Sequence, residues 1–165
     1  MATNNKLIAT IDIGSHSCIL LIAAFEKDAS SATETLVPKL QKVEVCRLGE
    51  DIYETGSISE SKIAELTQIM TKFRMDLHAL GANLMAAVMT EAMRRASNPD
   101  QVIDAVEKAL WLRPRIITGE EEGRLTYRSV REWHGSEIVT LDIGGGSTEL
   151  SNGETSFSSP IGALK

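Results

Sequence analysis

One short pattern occurs near both ends of the chain and limits the fold more than any other feature. An apolar strand closes on an aspartate, then come isoleucine, glycine and serine: Ile11-Asp12-Ile13-Gly14-Ser15, and again Leu141-Asp142-Ile143-Gly144-Gly145-Gly146-Ser147. Glycine lets the backbone turn with positive φ and lets a ligand approach the peptide N–H groups, which in succession form a concavity suited to an anion. The serine hydroxyl adds a donor. Aspartate has the wrong charge for phosphate, so its use at the strand's end is to hold a hydrated divalent metal ion or to orient water. Taken singly, an Asp-x-Gly-Ser turn reads as an ordinary hairpin turn. Three consecutive glycines before Ser147-Thr148-Glu149 ask for more, because glycine weakens strands unless another backbone or a ligand comes close. Two copies in one chain are best explained as a two-sided phosphate clamp. No lysine follows either loop as a Walker motif requires, and Gly144 to Gly146 open a hairpin, not the helix of a dinucleotide fingerprint.

The intervening sequence predicts the scaffold. Leu7 to Ile11 and Cys18 to Phe25 read as a hairpin across Gly14-Ser15-His16-Ser17, and a third strand spans about Leu36 to Leu48 after a soft linker, Asp28 to Thr35. Between Ser59 and Leu80, Ile63, Leu66, Ile69, Met70, Phe73, Leu77 and Leu80 recur at three- and four-residue steps up to Gly81, an amphipathic helix. Leu84 to Met89 is a buried strand, and Asn98-Pro99 an N-cap with proline opening a helix through Val102, Val106 and Leu110. Ile116-Ile117 makes a strand stub, Gly119 to about Trp133 a helix and Ile138 to Asp142 a strand, while Ser147 to Phe157 around Asn152-Gly153 predicts a two-stranded hairpin with a primed turn. Early antiparallel strands followed by strand–helix alternation indicate an α/β fold, a mixed sheet with flanking helices. A lone two-stranded hairpin is marginal in water. Ile138 to Phe157 is therefore expected to pack on the preceding part, to pair with another chain as in a homodimer, or to be poorly ordered.

The net charge of -6, with charges interspersed, excludes the basic face of a nucleic-acid-binding protein and mildly disfavours a long polyanion, so an anionic ligand must be held locally. Cys18 and Cys46, far apart in apolar runs, read as small buried hydrophobes. The polar start Met1 to Lys6 lacks a secretory core, and no apolar run approaches the roughly 18 residues of a membrane span, so a soluble cytoplasmic protein is expected. His78 and His134 are scattered, and no ligand-spaced cluster suggests zinc.

Glu120-Glu121-Glu122 opens a helix, where acidic residues complement the helix dipole. The same run offers a carboxylate that could accept a proton from a water attacking a phosphoanhydride. Arg94 and Arg95 follow the strand ending at Met89, the usual ligand side of an α/β sheet, and Arg94 reads equally as a solvated cation or as a phosphate binder. Arg124 could pair with Glu120 or Glu121. His16 reads equally as a phosphate ligand or a capped turn residue.

In order, Ile11-Asp12-Ile13-Gly14-Ser15, Thr90-Glu91-Ala92-Met93-Arg94-Arg95-Ala96 with Asn98, Gly119-Glu120-Glu121-Glu122-Gly123-Arg124 and Asp142-Ile143-Gly144-Gly145-Gly146-Ser147-Thr148-Glu149-Leu150 resemble the exopolyphosphatase / guanosine pentaphosphate phosphohydrolase family. The resemblance implies a ribonuclease H-like fold of the actin-like ATPase superfamily. It further implies a first lobe over residues 1–133 and the beginning of a truncated second lobe over residues 134–165. It makes Glu122 the catalytic base, with Glu121 as fallback. It assigns phosphate binding to Gly14, Ser15, His16, Ser17, Arg94, Gly144, Gly145, Gly146, Ser147 and Thr148, and magnesium (Mg2+) to Asp12, Asp142 and Glu149. The implied partner is polyphosphate or guanosine pentaphosphate, losing its terminal or 5′ γ-phosphate, with neither nucleic acid polymer nor membrane. A non-catalytic phosphate-binding fragment is the alternative, since such enzymes are two-lobed and about twice this length. The family's usual Ser-Asn-Ser is Ser15-His16-Ser17 here, which replaces an amide by an imidazole.

Overall fold

The computed structural model describes residues 6–27 and 34–164; Met1 to Asn5 and most of the expected Asp28 to Thr35 linker lie outside the described residues. Strands β1 (Leu7–Ile13) and β2 (Ser17–Lys27) pair antiparallel, with Asp12 opposite Ile19 and Ile13 opposite Cys18. Side chains alternate across a strand. Ala9, Ile11 and Ile13 consequently enter the core, while Thr10 and Asp12 face the other way. Strand β3 (Glu34–Val45) pairs antiparallel with β2 and stops short of the predicted Leu48. There Arg47 turns into the left-handed region with φ of 49°, and helix α1 (Leu48–Thr55) buries Leu48 and Ile52.

Helix α2 (Glu60–Leu80) follows the prediction closely. The Ser59 side chain accepts from the Lys62 N–H at one end, Gly81 with φ of 64° closes the other, and Leu66, Ile69, Met70, Phe73 and Leu77 are buried. Strand β4 (Asn83–Met89) runs parallel to β1, and a single unpredicted turn of helix, α3 (Glu91–Arg95), follows it. Helix α4 (Pro99–Leu110) starts on its proline as expected, but Asn98 does not cap it with its side chain. The Asn98 amide instead accepts from the Ile58 N–H at 2.9 Å and donates to the Ile58 carbonyl at 2.9 Å, pinning α4 to the connection before α2. Asn98→Ala is expected to cost about 1–3 kcal/mol by stranding both Ile58 groups, read as a lower thermal midpoint.

Strand β5 (Arg115–Ile116) completes a five-stranded mixed sheet of order β3-β2-β1-β4-β5. Its core face joins α1 through α4 in one apolar cluster. Helix α5 (Gly119–His134) lies instead on a second, antiparallel sheet of β6 (Thr140–Ile143), β7 (Thr148–Ser151) and β8 (Ser156–Ser159). The C-terminal segment thus takes the first of the three outcomes expected for it, packing on the preceding helix. Its turn differs from the predicted primed pair. Ser151 opposite Ser156 leaves a four-residue loop, because Asn152 Oδ1 accepts from both the Glu154 and Thr155 N–H groups, at 3.1 and 2.8 Å. Leu141, Ile143, Leu150 and Phe157 remain exposed on the sheet's outer face.

The cysteines are buried free thiols as expected, but they are not apart in space. Cys18 opposes Glu44 on β3, so Cys46, two residues on, falls on the same face beside it. The Cys46 thiol lies 3.7 Å from the Gly14 carbonyl and 3.6 Å from that of His16. The Cys46 sulfur and burial both push the Cys18 thiol up, which keeps it protonated.

Candidate active site

The two predicted loops have the same geometry. In the first, the Gly14 N–H donates to the Ser17 carbonyl at 2.9 Å; in the second, the Gly144 N–H donates to the Ser147 carbonyl at 2.9 Å. Each spans four residues between paired strands, closed by Ile13 opposite Cys18 and by Ile143 opposite Thr148. In this correspondence Ser15 matches Gly145, His16 matches Gly146 and Ser17 matches Ser147. None of these glycines has positive φ, contrary to the reason first given for them. What Gly14, Gly144 and Gly145 need is room. A Cβ on Gly145 would sit 3.0 Å from the His16 Cβ, since the two loops touch.

The second loop is also strapped from outside. The Ala163 and Leu164 N–H groups donate to the Gly144 and Gly145 carbonyls at 2.9 and 3.0 Å, and Thr148 Oγ1 donates to the Ile161 carbonyl at 2.6 Å. These bonds fix the outward carbonyls of the loop. Thr148 therefore serves the strap and does not line the cleft between the loops.

That cleft, about 260 Å³, is lined by Asp12, Gly14, Ser15, His16, Ser17, Glu122, Asp142, Gly144, Gly145, Gly146 and Ser147, together with Ile19 and Thr90, which the sequence did not single out. Ser15 is buried and its hydroxyl accepts from the Ala92 N–H at 3.1 Å, so it tethers the first loop to the start of α3. His16 Nδ1 is buried with no hydrogen-bond partner among the described residues.

Helical geometry distributes the three glutamates. Successive side chains on a helix point about 100° apart. Glu120 stays at the exposed helix start, held below the usual carboxylate range by a backbone N–H and the Thr118 hydroxyl. Glu121 forks onto Arg115 at 2.8 and 2.7 Å, outside the cleft. Glu122 alone turns inward, and burial pushes its carboxyl up to about 7 against the opposing pull of Arg94, with Glu149 and Asp12 adding repulsion. Thr126, one turn further along α5 and not foreseen, donates to Asp142 Oδ2 at 2.8 Å. The four-residue spacing from Glu122 was the available signal.

Arg94 is a hub. Its Nη1 donates to Glu122 Oε2 at 2.9 Å and to the Ile117 carbonyl at 2.8 Å, Nη2 to Ser147 Oγ at 3.4 Å, and Nε to Glu91 Oε2 at 3.1 Å. Glu149, expected at the metal, is 1% exposed beneath the second loop, where it accepts from Ser158 Oγ at 2.8 Å and lies 3.9 Å from Arg94 Nη2. It does not line the cleft.

Asp12 and Asp142 face the cleft from the two loops. Surrounding protein pushes Asp12 up to about 6, the charge of Asp142 adding to it, even though the cleft leaves the Asp12 side chain in reach of solvent. Together with Glu122 they make the cleft an acidic one, which repels phosphate unless a cation neutralises it. Two carboxylates of this kind fit Mg2+, which typically takes one or two protein carboxylates and completes its shell with phosphate oxygens and water. Among the described residues no group of three or more His, Cys, Asp or Glu side chains is placed to hold a metal alone.

Comparison with known proteins finds relatives of this chain. The sequence profile of the Ppx/GppA phosphatase family matches residues 25–165. Exopolyphosphatase 1 of Mycobacterium leprae is 31% identical over 94% of this chain and 47% of its own length. The crystal structure of the Aquifex aeolicus Ppx/GppA family member superposes with a TM-score of 0.80 at 33% identity, over 96% of this chain and 52% of that one. The chain thus spans about half the length of these relatives. Ethanolamine utilization protein EutJ of Carboxydothermus hydrogenoformans, 15% identical over 95% of this chain and 53% of its own with a TM-score of 0.56, shares the fold alone. The mixed sheet with flanking helices is the fold that these structures share with the chain. The chain belongs to the Ppx/GppA phosphatase family.

Proposed function

We propose that the cleft binds the terminal phosphates of a phosphoanhydride and that the protein hydrolyses the last one, acting on polyphosphate or on the 5′ γ-phosphate of guanosine pentaphosphate. The observation that carries this reading is the convergence of two equivalent loops on one cleft beside an inward-turned glutamate.

Gly14 and Gly144 spend their N–H groups inside the turns, so donors to phosphate come from the residues that follow: the Ser147 hydroxyl, the Gly145 and Gly146 backbone, and on the other side Ser15, His16 and Ser17. The unpartnered His16 Nδ1 is a polar group that a phosphate oxygen would satisfy. Mg2+ would be held by Asp12 and Asp142, the latter oriented by Thr126, and when bound would supply charge neutralisation on the phosphate oxygens. Glu122 takes the proton of the attacking water, its carboxylate aimed by Arg94. Arg94, bonded to both Glu122 and Ser147, ties the base to the loop that holds the phosphate.

The test is release of orthophosphate from each substrate with and without Mg2+. Release is expected only with the metal, and chelation should stop it. Asp142→Asn should raise the half-saturating Mg2+ concentration about 10-fold or more. If neither substrate is hydrolysed, the phosphohydrolase reading is wrong, and calorimetry then decides whether the cleft binds phosphates at all.

A further inference from the structure

Glu91 is a buried carboxylate for which the proposed chemistry has no use. Its side chain is 9% exposed, at the first position of a single-turn helix directly after β4. One oxygen, Oε2, accepts from Arg94 Nε at 3.1 Å; the other lies 3.7 Å from Arg95 Nη1. A carboxylate is rarely buried without a specific partner. Here the partner is the back edge of the same guanidinium whose front edge bonds two cleft residues, Glu122 and Ser147.

A guanidinium is a rigid planar fork, so holding Nε fixes the direction of both Nη groups. The Glu91 bond restrains Nε. The Ile117 carbonyl at 2.8 Å restrains one hydrogen of Nη1. With those two anchors in place, the other Nη1 hydrogen points at Glu122 and Nη2 points at Ser147, at 2.9 and 3.4 Å. Nη2 is the least tightly held, having the longest of these bonds and Glu149 only at 3.9 Å. Without Glu91, the nearest carboxylates left to the guanidinium are Glu122 and the buried Glu149, and rotation toward Glu149 would carry it off both cleft partners.

We infer that Glu91 is the positioning residue of the site, its buried carboxylate gripping Arg94 from behind so that the guanidinium holds Glu122 and Ser147 in one plane. Its consequence for rate rests on the phosphohydrolase reading; its geometry does not. Glu91 does not line the cleft, and its side chain reaches the cleft residues through Arg94.

Two variants and two readouts test this. Glu91→Gln keeps an acceptor oxygen for Arg94 Nε; Glu91→Ala removes it. By nitrogen-15 NMR of the side chains, the Arg94 Nε–H should exchange slowly with water in wild type and Glu91→Gln, and at least about tenfold faster in Glu91→Ala. In orthophosphate release, Glu91→Ala should lower kcat about 10- to 100-fold with little change in KM. Glu91→Gln should stay within about threefold of wild type, because the hydrogen bond survives. An Arg94 Nε–H that exchanges alike in wild type and Glu91→Ala would overturn the inference. So would equal losses of turnover in both variants that track equal drops in melting midpoint, since these would reduce Glu91 to fold support. If wild type hydrolyses nothing, the phosphohydrolase reading falls, and the Nε–H exchange still decides the role of Glu91.

Discussion

Glu122→Gln is expected to lower orthophosphate release by about 10²- to 10⁴-fold, the usual contribution of a positioned general base, while leaving the fold at least as stable as wild type. Both halves follow from the same burial. A base must be ionised to work, so wild-type kcat/KM measured with constant saturating Mg2+ should rise with pH through a limb near 7 and level off above it. Stability runs the opposite way. The folded carboxyl is raised from 4.5 to about 7, so the unfolded chain releases this proton first, and folding is progressively penalised as pH climbs through that interval. Above it the penalty is constant, on the order of 3 kcal/mol, a net figure that already includes the opposing pull of Arg94. A neutral glutamine escapes the penalty. Chemical denaturation at pH 5 and pH 8 should therefore show wild type losing stability at the higher pH and the variant losing less. A variant both inactive and clearly less stable at pH 8 would mean that Glu122 supports the fold and is no base.

Gly119→Ala should be the most damaging single methyl in the chain. The added Cβ would overlap both Cβ and Oγ of Ser158 on β8, a backbone-proximal clash that a rotamer change cannot relieve. Strand β8 must move away from α5, and the Ser158 hydroxyl then leaves Glu149, a carboxylate only 1% exposed. Overpacking of this kind costs about 1–3 kcal/mol, and stranding a buried charge adds to it. Thermal unfolding should show the loss directly, and Ser158→Gly in the same chain should recover the steric part without the Glu149 part. The double variant should hence lie between wild type and Gly119→Ala. A double variant no better than the single one would place the strain elsewhere.

Much of this site was readable before any coordinates, and the reasons are local. The Asp12 and Asp142 loops announce themselves because strand, turn and chemistry coincide within seven residues and then repeat. The α2 helix announces itself because its apolar residues recur over nearly five turns. Single-turn helices such as α3 carry no such periodicity, and α1 hardly more, so both were missed. Which of three adjacent glutamates enters the cleft depends on the phase of α5, and that phase is set by Gly119 and Gly123 seating against β7 and β8, contacts far apart in sequence. Glu149 carried the right motif but sits on the strand face that turns beneath the loop, where Ser158 and Arg94 claim it. Arg94 was seen as a cation near phosphate, whereas its bonds to Glu91, Ile117, Glu122 and Ser147 exist only after three elements assemble. Likewise the four-residue loop after Ser151 comes from the Asn152 side chain, which outcompetes the two-residue turn that Asn-Gly alone suggests.

Helix α5 follows the first sheet in sequence yet lies on the second, and that has a mechanical consequence. Glu122 is packed with Asp142 and Ser147 on the second sheet, while Asp12 ends a strand of the first. Any rocking of one sheet against the other would pull the two cleft-facing aspartates apart before it disturbed the register between Glu122 and the second loop. Arg94 is the crossbar across that joint, reaching from α3 to both Glu122 and Ser147.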